Sequence, residues 1–185
     1  MDLDAVLTIK FTRDMVRDLE NNASHAVALL EDEKFKDFTF LVEDQEIKVH
    51  VFAAMLEPHT QESQEGKVEI EDFDHETVKA AVSLIYRRNL RDDLPVEILL
   101  NLFKFADKYD LVDKINIWGK IRENFGVSTI AKVSNFSKAN SFDELYNDCV
   151  GFFAENFEIN TKNMKDFDDL DPGFVIDAVK RRYRE

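Results

Sequence analysis

Histidine and cysteine are the side chains best suited to metal binding or nucleophilic catalysis, and this chain has few of them in useful patterns. The four histidines, at positions 25, 50, 59 and 75, include no pair with the H-x-x-x-H spacing of two ligands on one helix face. Cys149 shares a helical face with Leu145 and Phe152, so we expect a small buried hydrophobe. The sequence contains neither a G-x-S-x-G elbow nor a glycine-rich phosphate loop. We therefore expect a protein that is not an enzyme and that needs no cofactor or metal.

Four aspartates, at positions 166, 168, 169 and 171, are the best candidates for a calcium loop. They do not fit the D-x-D-x-D-G register that ends in glutamate. A solvated acidic turn that leads into a helix cap explains them without a bound ion.

The charge balance argues against another class of function. The chain has 24 Lys and Arg against 38 Asp and Glu, a formal net charge of −14 at pH 7. A field of that sign repels phosphate backbones, so we do not expect nucleic acid as a partner. The one local basic cluster, at residues 180–184, is explained as favourable charge at a helix C-terminus.

Length and residue usage narrow the class further. A chain of 185 residues suits one compact domain with an extension, and five Gly and three Pro are typical of a largely helical protein. No apolar run approaches a membrane span, the N-terminus lacks the pattern of a secretion signal, and a single cysteine excludes an internal disulfide. We expect a soluble protein of the cytoplasm or nucleus that does not bind membranes.

Hydrophobic periodicity predicts one or two helices, then three short strands, then a series of helices. An amphipathic helix over 14–30 precedes two alternating strands that are joined by a hairpin-length linker, Glu43-Asp44-Gln45. Val68 and Ile70 mark the third strand. The expected class is α+β, with a small three-stranded sheet flanked by a helical bundle and a C-terminal helical extension.

Several polar residues, among them Asp74, Ser141 and Asp171, are predicted to cap helices. Asp74 precedes one apolar helical pattern, Ser141 forms a capping box with Glu144, and Asp171 precedes Pro172 at the start of the last helix. Phe105 lies on the apolar face of another predicted helix, so we expect it in the core.

Several sequence motifs follow one another in the order typical of a known family. They are F-x-D-x-x-F at 35–40, a strand that ends at His50, F-A-A-M-L at 52–56, a strand at 68–72, L-I-Y-R at 84–87 and A-D-K-Y-x-L at 106–111. Over residues 24–160 the chain resembles the BTB/POZ domain and following helical extension of MATH-BTB type cullin-3 adaptors. The resemblance implies an N-terminal segment with the start of the amphipathic helix at 1–23, a BTB/POZ domain at 24–124 and a C-terminal helical extension at 125–185.

The chain departs from the family pattern directly after His50. Family members usually carry a helix of the type K-x-x-L-x-x-R-S-P before the F-x-A-M segment, whereas here His50 is followed at once by Val51 and Phe52. The apparent internal deletion removes about nine residues, roughly two and a half turns of helix. In the family this helix lines the dimer interface.

The resemblance implies a protein–protein interaction module, a dimeric substrate adaptor of a cullin-3 RING ubiquitin ligase. The residues that it implies for cullin binding are Thr60, Glu62, Tyr109, Asp110 and Phe125, where Thr60 and Glu62 occupy the ends of the family's hydrophobic-x-Glu motif. The residues that it implies for the dimer interface are Met15, Leu19, Ala26, Val27 and Leu30.

A second interpretation stays open at this point. The chain would then be a BTB oligomerisation module, or a degenerate paralogue without ligase activity, that forms hetero-dimers with related BTB proteins. Binding to the cullin-3 scaffold separates the two interpretations.

Overall fold

A computed structural model of the protein describes residues 30–32, 36–50, 66–165 and 167–184. Positions 14–29 of the helix predicted over 14–30, the segment at 52–56 and the apparent deletion after His50 lie outside these residues. The described residues fall into two compact units that divide between Ile117 and Trp118. The expected α+β class and small three-stranded sheet are confirmed.

The sheet starts with a tight hairpin. β1 (Phe38–Val42) pairs antiparallel with β2 (Gln45–Val49), so that Phe40 lies opposite Ile47. Glu43 and Asp44 connect them with φ values of 49° and 61°. Positive φ at both positions of a two-residue loop is the type I′ geometry that matches strand twist. The observed loop is therefore one residue shorter than the predicted linker, and Gln45 belongs to β2.

β3 (Lys67–Glu69) pairs parallel with β1, which gives the strand order β2-β1-β3. Gly66 precedes β3 with a φ of +62°, and its carbonyl accepts a 2.9 Å hydrogen bond from the Thr39 N–H. A Cβ at this position would lie 3.3 Å from the Asp37 carbonyl oxygen. The conformation and the close backbone approach together require glycine.

Within the described part of the first unit, two long helices follow the sheet. α1 (His75–Arg87) is capped by Asp74, whose carboxylate accepts a 2.8 Å hydrogen bond from the Thr77 N–H, as predicted. α2 (Val96–Lys108) follows Pro95. Phe105 of α2 is buried, which confirms its predicted place in the core.

The second unit is helical throughout its described residues. α3 (Lys114–Glu123) spans the division between the units. It is followed by α4 (Ile130–Ala139), α5 (Asp143–Glu155), α6 (Phe157–Asn163), a short 3₁₀ turn (Phe167–Asp169) and α7 (Pro172–Tyr183). Asp171 caps α7 by accepting a 3.1 Å hydrogen bond from the Phe174 N–H, as predicted.

The predicted N-cap at Ser141 is wrong. Ser141 has a φ of 58° and ends α4 as the left-handed residue of a Schellman motif. The Phe142 N–H donates to the Ser137 carbonyl at 2.9 Å, and the Ser141 N–H donates to the Lys138 carbonyl at 3.3 Å. A residue that closes one helix in the left-handed conformation is not in the extended conformation of an N-cap, so α5 begins without a side-chain cap.

Candidate functional site

The turn between α2 and α3, residues 109–115, is called the α2–α3 corner here. α2 ends in a Schellman motif, in which the Leu111 N–H donates to the Ala106 carbonyl at 2.9 Å and the Asp110 N–H to the Asp107 carbonyl at 3.4 Å. Asp110 is the left-handed residue, with a φ of 50°. The first and last residues of the A-D-K-Y-x-L motif, Ala106 and Leu111, are therefore the two residues whose backbone hydrogen bond ends α2.

An aromatic cluster supports the corner from one side. The Phe105 ring centroid lies 5.1 Å from that of Phe73 and 4.4 Å from that of Tyr109. Lys108 places its ammonium 5.5 Å from the Tyr109 ring centroid and pairs with Asp72. Burial raises the pKa of the Tyr109 hydroxyl, while the hydrogen bond to Asp72 raises the pKa of Lys108. The Tyr109 ring is thus buried against the rings of Phe73 and Phe105.

A buried ion pair fixes the other side of the corner. The Arg88 guanidinium, at the end of α1, donates to the carboxylate of Asp113, which directly precedes α3. The side chains are 17% and 4% exposed, respectively. Arg88 adopts a φ of 54° at the C-cap of α1. The pair therefore joins the end of α1 to the start of α3 across 25 residues of sequence.

The solvent face of the corner combines one carboxylate with two apolar side chains. Asp110 is exposed, and Val112 and Ile115 are 36% and 69% exposed. Exposed apolar side chains close in sequence to an exposed charge make these residues candidates for a protein-binding surface. Val112 and Ile115 were not predicted from the sequence to lie at a binding surface. The available signal was that Ile115 falls off the helical face shared by Ile117 and Ile121, both of which are buried.

The BTB/POZ domain family matches residues 27–122, just over half of the chain. The chain belongs to the BTB/POZ family. Membership supports the expected protein–protein interaction module, since BTB domains are in general interaction modules and not enzymes. The α2–α3 corner lies within the matched residues, so it is part of the BTB domain.

A curated relative carries both domain names in its title. The chain is similar to "BTB and MATH domain-containing protein 40" of Caenorhabditis elegans, with 29% identity over 122 residues. The alignment covers 63% of this chain and 30% of the relative. The likeness is consistent with the resemblance to MATH-BTB proteins, and the chain spans less than a third of the relative's length.

The BTB structure brings together only some of the residues predicted to bind a cullin. Tyr109 and Asp110 are neighbours at the α2–α3 corner, where Tyr109 is buried and Asp110 is exposed. Phe125 lies in the second unit, where its ring is 5.5 Å from that of Phe152 and half-exposed. Thr60 and Glu62 lie outside the described residues.

The predicted dimer interface is described at a single position. Leu30 is half-buried in a short helical stretch that includes Glu31. Met15, Leu19, Ala26 and Val27 lie outside the described residues.

Two of the four histidines, His50 and His75, lie in the described part of the chain. The backbone N–H of His50 donates to the Tyr86 hydroxyl at 3.0 Å, and the Nδ1 atom of His50 lies 3.3 Å from the same hydroxyl. The pKa of Tyr86 is raised chiefly by burial. His75 is the first residue of α1. Within the described ranges, no three His, Cys, Asp or Glu side chains converge to hold a metal ion. In the same part of the chain, no helix has the length and apolar character needed to cross a membrane.

The left-handed conformation of Asp110 predicts a stabilising substitution. Asp110→Gly should raise the free energy of unfolding by about 0.5–1 kcal/mol, because glycine adopts positive φ without a Cβ penalty. Asp110→Ala is the control, since it removes the same carboxylate and keeps a Cβ. Urea unfolding of both variants should show a gain for glycine alone. Equal stabilities of the Gly and Ala variants would contradict the geometry.

Cys149 is fully buried, as predicted, and burial raises its pKa from 9.0 to about 12. At about pH 8 the native protein should hold about a thousandfold less thiolate than the unfolded chain. Iodoacetamide should therefore label Cys149 very slowly until urea unfolds the protein. Because the folded pKa is raised, the thiol's contribution to stability is present below pH 9 and is lost as pH rises toward 12. Rapid labelling of native protein would contradict the burial of this thiol.

Proposed function

We propose that the chain is a dimeric substrate adaptor of a cullin-3 RING ubiquitin ligase in the cytoplasm or nucleus. The observation that carries this proposal is the α2–α3 corner of the matched BTB domain, where Asp110, Val112 and Ile115 are all exposed. This corner offers apolar surface for burial and a charge to fix the orientation of the scaffold.

The corner suits a docking surface because its backbone is held from both sides. The aromatic cluster around Phe105 lies under the end of α2, and the Arg88–Asp113 pair holds the start of α3. Asp110 is exposed on this supported turn, so its carboxylate is accessible to a partner.

An adaptor of this kind acts through geometry alone. It would hold the cullin scaffold on the BTB domain and present a bound substrate at high effective concentration to the ubiquitin-charged enzyme. No bond is made or broken by the side chains of this chain in that mechanism.

The other residues proposed to contact the cullin are not part of the corner. They are Thr60 and Glu62, from the segment before β3, and Phe125, which lies in the second unit. Tyr109 would act as a positioning residue, because its ring is buried against Phe105. Dimerisation is proposed through Met15, Leu19, Ala26, Val27 and Leu30.

Calorimetric titration of the chain with the N-terminal region of cullin-3 tests the docking surface. Ile115→Asp should weaken binding tenfold or more, because burial of an isoleucine side chain contributes about 1.5–3 kcal/mol. Ile176→Asp is the matched control, since Ile176 of α7 is also exposed and lies outside the matched BTB residues. Equal losses for both variants, or no loss for either, would contradict the proposed surface.

The alternative is a BTB oligomerisation module without ligase activity. Thr60 favours it, because threonine offers less apolar surface than the larger residue usual at this motif position. Under this alternative the chain forms mixed dimers with related BTB proteins and shows no calorimetric signal with cullin-3.

A further inference from the structure

A groove of about 680 Å³ lies between β2 and α1 in the first unit, on residues other than those of the α2–α3 corner. Leu30, Ile47 and Val82 contribute apolar side chains to its lining. Val82 is buried, while Leu30 and Ile47 are half-exposed. The groove therefore has room and apolar surface for side chains of a binding partner.

The lining of this groove is cationic, although the chain as a whole has a net charge of −14. Four basic side chains line it, from Lys36, Lys48, Lys79 and Arg87, against one lining carboxylate, from Glu46. Arg87 is also paired with Glu31 at 3.2 Å, so Lys48 and Lys79 are the cations on which the charge argument rests. Lys48, Lys79 and Arg87 are exposed. A local positive potential on an acidic protein attracts acidic partners.

The groove also follows the edge of the sheet. Glu46, Ile47 and Lys48 all line it, although successive side chains of a strand point to opposite faces. The groove is therefore bounded by the backbone edge of β2. In the described part of the sheet, β2 pairs with β1 on one side only. An extended peptide that adds to such an edge gains main-chain hydrogen bonds.

We propose that this groove binds an acidic peptide segment in an extended conformation, paired with the outer edge of β2. Apolar side chains of the peptide pack on Ile47 and Val82. The carboxylates of alternate residues face Lys48 on the opposite side of the strand, and Lys79 of α1 adds to the positive potential of the groove. Charge complementarity favours an acidic peptide, while the apolar lining and strand edge favour a polypeptide over a nucleic acid. This second surface would leave the α2–α3 corner free.

Fluorescence polarisation with the full chain tests the proposal. The probe is a labelled peptide of about ten residues that alternates glutamate with valine or leucine. Lys48→Glu combined with Lys79→Glu should weaken probe binding about tenfold or more, and added salt should weaken binding to the wild type. The matched control reverses Lys162 and Lys165, two exposed lysines of the second unit, and gives the same net charge. This control should leave the affinity within about twofold of the wild type.

Changes in the probe keep the test independent of protein folding. A probe with glutamine in place of glutamate should bind more weakly and without salt dependence, because it carries no carboxylates. A probe with N-methylated backbone amides keeps its charges and should also bind more weakly, because it loses main-chain hydrogen bonds to β2. Three results would overturn the proposal: no binding of the acidic probe to the wild type, equal losses for both lysine pairs, or equal binding of polyglutamate, which has no apolar side chains. A change in molecular mass on groove reversal would instead assign the groove to a second copy of the chain. Each of these results leaves the cullin titration unaffected.

Discussion

Replacing Asp113 with alanine should lower the free energy of unfolding by about 3–5 kcal/mol. The carboxylate is 4% exposed and pairs with Arg88, whose side chain is 17% exposed. Removing one partner leaves the other charge buried without this counter-ion. The cost of that buried charge is larger than the net stability that the intact pair contributes. Arg88→Met should cost a similar amount, for the same reason.

A double-mutant cycle in urea measures this coupling. The combined variant, Arg88→Met with Asp113→Leu, should recover most of the stability lost by each single variant, since neither charge is then buried. Asp93→Ala is the control, because Asp93 pairs with Arg91 where both side chains are 69% exposed. The control should leave the denaturation midpoint unchanged. Additive losses in the combined variant would contradict a coupled buried pair.

Phe153→Ala should lower the free energy of unfolding by about 3–5 kcal/mol, because it opens a large cavity in the second unit. Phe153 is fully buried in α5, and its ring meets those of Phe157 and Phe174 edge-to-face at centroid distances of 5.7 and 5.6 Å. The substitution therefore removes contacts with α6 and α7 at once.

Thermal and urea unfolding measure the effect of this cavity. Phe153→Leu should cost less than the alanine variant, because it keeps most of the apolar volume. Ile159→Ala is the surface control, since Ile159 is 59% exposed and should leave stability within about 0.5 kcal/mol. A Phe153→Ala variant as stable as this control would contradict the packing of the three aromatic rings.

Features set by neighbouring residues were predictable from the sequence. The hairpin, the caps at Asp74 and Asp171, and the buried face of α2 all follow from turn chemistry or periodicity within a few residues. The prediction that Ser141 is an N-cap was wrong for an equally local reason. It lies at a junction where the end of one helix and the start of the next compete for one backbone conformation, and the Schellman motif of α4 prevails.

The candidate surfaces depend on contacts that sequence spacing does not encode. Arg88 and Asp113 meet across 25 residues, and Ile115 is recognised as exposed only when the packing around α3 is known. The basic groove is lined by cations from β2, from α1 and from the segment before β1. In the sequence, each of these residues alone has the pattern of an ordinary solvated side chain. The family resemblance indicated the corner through Tyr109 and Asp110, but it gave no indication of the groove.

Light scattering on the mixture of this chain with the N-terminal region of cullin-3, after size-exclusion chromatography, tests the adaptor proposal most directly. The proposal predicts a single complex whose mass corresponds to two copies of the chain and two of the cullin region. A chain that elutes as a monomer, separate from the cullin region at concentrations well above a micromolar Kd, would contradict it.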